Sequence, residues 1–277
     1  VSGLKLDGKR ILVTGLSNRR SVAWHVGQAL EEAGAEVIYT LRTEERRREN
    51  ERLLGPRPAL LCDVLVDGQI DELAAALTDR YGTLDGFVHS IARADYADLD
   101  RADPRLPNFE ETGRAEFLRA VDVSCFSLMA LAQALAPLLV PGSAAVAISI
   151  SDTHMAAENY GFMSPAKAAL ESATAFLAKS FGRERQVRFN SVKAGLLKTR
   201  SSAGIPGYLD SYFYAEQATL RGRALETREV ADTVAFLLSP LSSGINGQGL
   251  VVDAGMGLGY FHRDLVQRAV AAEGPAR

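Results

Sequence analysis

Tyr160 and Lys167 are the residues on which chemistry could turn. They stand seven residues apart in Asn159-Tyr-Gly-Phe-Met-Ser-Pro-Ala-Lys-Ala-Ala169, just after the apolar run Ala145-Val-Ala-Ile-Ser-Ile150. If the stretch is helical, seven residues make about two turns and bring both side chains to one face. A phenol beside an ammonium at the end of a buried strand can hold or release a proton, because the cation favours the phenolate. An amphipathic helix that merely carries a tyrosine and a lysine fits the local sequence equally well. The rest of the chain has to decide.

The elements that must position such a pair alternate between strand and helix. Residues 10–14 form a short apolar run after an Asp7-Gly8 turn signal, and residues 21–33 have helical periodicity closed by Gly34. Strands are expected at 37–41, 59–62, 85–90, 145–150, 187–192 and 249–253, with helices at 70–81, 113–140 and about 159–181. Pro141-Gly142 is read as the end of the helix over 113–140. A loop and helices over about 193–225 are assigned to the substrate, and the tail is expected to fray after about residue 270. The fold class that follows is α/β, a Rossmann-type doubly wound parallel sheet of about seven strands with helices on both faces. No composition shift divides the chain, so residues 1–277 are read as one domain. Residues 93–112, rich in Asp, Arg and Pro, form an irregular excursion at the carboxyl ends of the strands, where open α/β sheets keep their ligands.

Bulk properties remove several function classes. With 47% hydrophobic and 23% charged residues, the chain is ordinary for a globular protein, and a net charge of -3 makes no electrostatic case for nucleic acid or an anionic membrane. The basic run Arg46-Arg47-Arg48 lies among Glu44, Glu45, Glu49 and Glu51, as on a solvated helix face. Cys62 and Cys125 have apolar neighbours and read as packed thiols, and the four histidines show no metal-ligand spacing. No apolar run is expected to reach membrane-spanning length, and the N-terminal residues lack a signal-peptide core; the expected location is cytoplasmic.

A nucleotide end is legible upstream. Gly15-Leu-Ser-Asn-Arg-Arg-Ser21-Val22-Ala23 follows a strand and opens a helix, the context of a phosphate-binding turn, although only one glycine of the three-glycine fingerprint is present. Ser21 would cap the helix, its hydroxyl and the free amides at Val22 facing a pyrophosphate. A plain strand-helix turn with a serine cap is the alternative. Arg42 follows the second strand where a carboxylate would favour NADH, so the residue leans toward the 2′-phosphate of NADPH, with Arg46 or Arg47 as helpers. Asp63-Val64 is placed for the adenine, and Ser90-Ile91-Ala92 for the middle of the cofactor.

Taken together and in order, Gly15-x5-Ser21-x-Ala23, Asp63-Val64, His89-Ser-Ile-Ala92, Tyr160-x6-Lys167 and Gly195-Leu-Leu-Lys-Thr199 resemble the enoyl-acyl-carrier-protein reductases. These are a divergent branch of the short-chain dehydrogenase/reductases. The resemblance implies hydride transfer from NADH or NADPH to an enoyl thioester, in fatty-acid synthesis, on a substrate carried by acyl carrier protein. It implies that Tyr160 hydrogen-bonds the thioester carbonyl and that Lys167 binds the nicotinamide ribose. Leu197 would hold the carboxamide through its backbone, and Thr199 would meet phosphates or amide. It also implies a homotetramer packed through the two long helices.

The chain departs from that pattern where substrate would lie. Ile150 and Ser151 stand where the family usually has a second aromatic, Ala147 where a serine or threonine assists the tyrosine in carbonyl-reducing relatives, and Leu196 where a proline usually follows Gly195. Arg93, in place of an aromatic, is expected to meet an anionic part of the substrate; Ile150, Ser151 and Met163 complete the substrate candidates. His154 is read as a loop residue that could touch substrate. A carbonyl reductase of specialised metabolism, or a cofactor-binding regulatory protein without turnover, remains as an alternative function.

Overall fold

The computed structural model describes residues 3–93, 108–154, 156, 161–199, 202, 208–259 and 261–272. Seven strands form one sheet: β1 (Arg10–Thr14), β2 (Glu36–Leu41), β3 (Ala59–Leu61), β4 (Leu84–His89), β5 (Leu139–Ile150), β6 (Arg188–Ala194) and β7 (Gly249–Val252). Their spatial order is β3-β2-β1-β4-β5-β6-β7, and every neighbouring pair is parallel. This is the expected doubly wound α/β sheet.

Alternation along each strand feeds two cores, one on each face. Ile11 and Val13 of β1, Ala144 and Val146 of β5, and Val192 of β6 pack with α1 (Val22–Glu32). Leu12, Ala145, Ala147 and Phe189 point the other way. Between β2 and β3 lie two short helices, α2 (Glu44–Glu49) and α3 (Glu51–Leu54). On the second face lie α4 (Gln69–Tyr81), the pair α5 (Arg114–Val121) and α6 (Ser127–Leu135), and the long α7 (Met163–Arg185). The pair α5 and α6 is one helical run joined by a π turn over Asp122–Phe126. The chain closes with α8 (Tyr208–Ala218), α9 (Thr227–Leu238), packed on α1, and α10 (Arg263–Ala272).

Three expectations change. The helix read over 113–140 ends at Leu135, and Leu139-Val140-Pro141-Gly142 already belongs to β5. Register against β4 jumps from Leu84↔Leu139 to Gly86↔Ala144, so the exposed Pro-Gly pair bulges out near the strand start instead of ending a helix. The helix expected from about 159 begins at Met163, because Gly161 and Phe162 form a turn, with Gly161 at φ +52°. Finally, Arg114–Leu135 is long and apolar enough to cross a membrane by length and composition, contrary to the expectation that no run would be. Half of that window is buried inside the fold, where it packs on α4 and α7.

Candidate active site at the carboxyl ends of the strands

The chain leaves β1 toward β2 on one side, while β4 lies on the other, so the crevice of the sheet opens above β1 and β4. The ends of these two strands are locked together. Thr14 Oγ1 donates to the Val88 carbonyl at 2.9 Å, and the Leu16 amide donates to the Thr40 carbonyl of β2 at 3.1 Å. Gly15 sits at φ +84°, and a Cβ there would come within 2.2 Å of the Ser90 carbonyl oxygen. Glycine is therefore required twice, for its backbone angle and for the contact with Ser90-Ile91.

Ser21 is buried and caps α1, accepting from the Trp24 amide at 3.3 Å while its hydroxyl donates to the Asn18 carbonyl at 2.6 Å. The Val22 and Ala23 amides of the first turn have no intrahelical acceptor and face outward from the helix end, a setting that favours an anion. The buried Asn50, between α2 and α3, donates to the Ser17 carbonyl at 3.0 Å and fixes the middle of the turn.

Lys167, in the second turn of α7, is 4% exposed, and its Nζ donates to the Ile148 carbonyl of β5 at 2.8 Å. Desolvation lowers its pKa to about 8, opposed by the Cys125 thiol and the Glu171 carboxylate. His89, at the end of β4, is fully buried with Nε2 2.7 Å from Ser127 Oγ. The Ser127 hydroxyl spends its hydrogen on the Val123 carbonyl at 2.6 Å, so Nε2 carries the ring proton and Nδ1 is the bare acceptor. Burial, then the charge of Lys167, pushes the imidazole pKa down to about 3; the ring is neutral.

Asp63 and Val64 are half-buried at the end of β3, where Asp63 Oδ1 accepts from the Leu65 amide at 3.1 Å and the Asp63 amide donates to Gln69 at 2.7 Å. Ser90 and Ile91 are half-buried beside Gly15, and Ala92 is exposed. The Arg93 amide donates to Ser124 Oγ in the π turn at 3.2 Å. Arg42 is exposed just after β2, and its expected helpers are committed elsewhere: Arg46 pairs with Glu49 at 2.7 Å and Arg47 with Glu44 at 2.8 Å.

Leu197 is buried, and one hydroxyl meets both of its backbone groups: Tyr208 Oη accepts from the Leu197 amide at 3.0 Å and donates to the Leu197 carbonyl at 2.9 Å. Ser202 donates to the same carbonyl at 2.8 Å and accepts from the Thr199 amide at 2.9 Å. Ile150 and Ser151 are half-buried where β5 ends, with the Ser151 amide still in the ladder to Ala194 at 2.8 Å. Met163 is buried in a small apolar cluster with Phe162 and Ala120. His154 is exposed, its amide bonded to Asp152. Tyr160 lies outside the described residues; Lys167 stands on α7, which begins at Met163 after a turn at Gly161-Phe162.

A strand-turn-helix with a capped helix start, a switch-point crevice and a buried lysine ammonium are an arrangement that could hold a dinucleotide. The family model for "Enoyl-(Acyl carrier protein) reductase" matches residues 15–257. The chain belongs to the enoyl-acyl-carrier-protein reductase family. Over 258 residues it is 38% identical to the enoyl-[acyl-carrier-protein] reductase [NADH] of Nostoc sp., covering 91% of this chain and 97% of that one. The crystal structure of the enoyl-[acyl-carrier-protein] reductase (NADH) from Aquifex aeolicus superposes with a TM-score of 0.85 at 32% identity, covering 94% of this chain and all of that one. That of the Bacillus cereus reductase with NADP+ and an indole naphthyridinone gives 0.84 at 31% identity, covering 92% and 99%.

In this member of the enoyl-acyl-carrier-protein reductase family, sequence reasoning missed Tyr208, Ser202, Asn50 and Ser124, which hold the loops, and Glu171, one turn after Lys167, with its partner Lys193. Only Glu171 had a readable signal, its position four residues after Lys167 on one helix face. The others are joined to the site across strands or loops.

Proposed function

We propose that this chain catalyses the NADH-dependent reduction of the trans-2 double bond of an enoyl thioester carried by acyl carrier protein, a step of fatty-acid biosynthesis in the cytoplasm. The reading is carried by the family match over residues 15–257 together with the buried Lys167 ammonium at the end of β5. Gly15 leaves a cradle that a single Cβ would fill, and Ser21 caps a helix whose first amides are open to a pyrophosphate; these residues fit a dinucleotide. Asp63, Val64, Ser90, Ile91 and Ala92 would flank it along the strand ends, and Leu197 and Thr199 would meet its nicotinamide end. When bound, the cofactor supplies the hydride.

Lys167 then holds positive charge beside the ribose, and Tyr160 donates a hydrogen bond to the thioester carbonyl as negative charge develops there. Arg93, Ile150, Ser151 and Met163 are assigned to the substrate side. For the cofactor, NADH replaces the initial lean to NADPH. The Nostoc and Aquifex relatives carry NADH in their names, and Arg42 has lost its two helpers to glutamates. Leu118, Phe126 and Met129 on the α5–α6 run and Phe176 on α7 are exposed apolar groups, which supports packing of copies through these helices into a tetramer; light scattering in solution checks it.

Initial rates of NADH and NADPH oxidation with crotonyl and longer enoyl thioesters, set against 3-oxoacyl thioesters, test the reaction. Enoyl reduction with NADH preferred is expected. Turnover confined to the 3-oxoacyl substrates would make the chain a carbonyl reductase, and cofactor binding without any oxidation would make it a regulatory protein. Tyr160→Phe should lower kcat far more than cofactor affinity, and Lys167→Met should damage both.

A further inference from the structure

Lys167 does not stand alone on α7. Glu171 lies four residues further on, on the same helix face. Its two oxygens go to different strands: Ser149 of β5 donates to Oε1 at 2.7 Å, and the Lys193 ammonium of β6 sits 3.1 Å from Oε2. Ser149 and Lys193 are register partners in the parallel ladder. One carboxylate therefore ties the ends of two adjacent strands to the helix that carries Lys167. The Lys193 and Glu171 side chains are only 18% and 21% exposed, a setting where charges are screened much less than on an open surface.

We propose that Glu171 is a positioning residue for Lys167: fixed by Ser149 and Lys193, its carboxylate supplies the anionic neighbour of an enclosed ammonium and sets where that ammonium meets the end of β5. The inference rests on the reading of Lys167 as part of the reaction centre. It goes further in giving the ammonium a counter-charge that the motif itself does not contain.

The groups that face Lys167 come from every element around it. His89 on β4 is neutral, the Cys125 thiol in the π turn is pushed up by burial, Glu171 is on its own helix, and Lys193 on β6 lies beyond that carboxylate. Glu171 is thus the anion of the set among the described residues. Its field favours the charged ammonium, so removing it lets Lys167 lose its proton at lower pH. Lys193 sits on the same carboxylate, 3.1 Å from Oε2, and offsets part of its charge. Its removal acts in the opposite sense.

The opposite signs make the test. The profile of kcat for crotonyl-thioester reduction is measured from about pH 6 to pH 10 in the wild type, Glu171→Gln, Lys193→Met and Lys167→Met, with the thermal midpoint of each. The alkaline fall of activity should move down by about one pH unit in Glu171→Gln and up by about half a unit in Lys193→Met. Lys167→Met should abolish turnover. A limb that stays in place in both variants, or moves the same way in both, reduces Glu171 to a structural clamp and overturns the proposal. Full activity in Lys167→Met removes the reaction centre itself, a distinguishable failure. Should Glu171→Gln not fold, the sign of the Lys193→Met shift alone decides.

Discussion

Replacing Gly15 with alanine tests the geometry of the crevice directly. The new Cβ would lie 2.2 Å from the Ser90 oxygen, 2.8 Å from its carbonyl carbon and 3.3 Å from Ile91 Cγ1, and the residue would keep φ at +84°. The left-handed backbone alone costs an L-residue about 1–2 kcal/mol. Overpacking against a backbone that is itself tied into β4 adds about 1–3 kcal/mol, because no flexible side chain can step aside. The sum is about 2–5 kcal/mol. Gly142 supplies the control: it has φ +86° and nothing within 4 Å of its would-be Cβ, so Gly142→Ala should cost only the backbone share, about 1–2 kcal/mol. Denaturant unfolding of both variants gives the difference, and an NADH titration shows whether the displaced Ser90-Ile91 segment still binds. The expected result is a larger stability loss and a dissociation constant at least about tenfold higher for Gly15→Ala, near 1.4 kcal/mol. Equal losses in the two variants, with NADH affinity unchanged in Gly15→Ala, would refute the close-approach argument.

Two further perturbations follow from single contacts. Tyr208→Phe removes the hydroxyl that serves both backbone groups of Leu197 and should cost about 1–3 kcal/mol of stability, since the buried amide loses its acceptor; saturating NADH, offering its carboxamide to Leu197, should narrow that deficit, and an unchanged gap would take Leu197 out of the cofactor site. His89 is buried neutral with its pKa at about 3, below the unfolded value near 6.5. The unfolded chain therefore binds the extra proton first, so this contribution to stability is complete above about pH 6.5 and drains away as pH falls toward 3, with a slope of at most about 1.4 kcal/mol per pH unit. His89→Asn should flatten that acid dependence in urea titrations; identical slopes would mean the proton goes elsewhere.

Legibility in the sequence followed the range of the physics. The parallel sheet was readable because each strand is a short apolar run closed by a turn signal, as at Arg10–Thr14 before Gly15, and because both faces had to be covered. The cap at Ser21 and the glycine requirement at Gly15 are local and were readable for the same reason. Pro141-Gly142 misled because a helix stop and a strand bulge use the same two residues; only the register against β4 separates them. The helix carrying Lys167 was placed too early because Gly161 can continue a pattern on paper while taking φ +52° in the fold. Arg42 was given helpers that their own neighbours neutralise: the glutamates around Arg46 and Arg47 were legible, and α2 fixes which of them pair, Glu49 with Arg46 and Glu44 with Arg47.

The network around Lys167 shows why motif reading stops short of electrostatics. A buried ammonium is costly unless something compensates it. The sequence motif provides the cation and one helical turn away provides Glu171, but the partners that fix the carboxylate come from β5 and β6, 22 residues to either side of Glu171 for Ser149 and Lys193. They meet because adjacent parallel strands put register partners on the same face, here the α7 face shared with Ala145, Ala147 and Phe189. With the ammonium pKa brought to about 8, a modest change in its counter-charge decides how much of it is charged near neutral pH. Control of the pair therefore rests on strand register as much as on the Tyr-Lys motif, and a substitution at Lys193, far from that motif in sequence, should be felt in the pH profile before it is felt in stability.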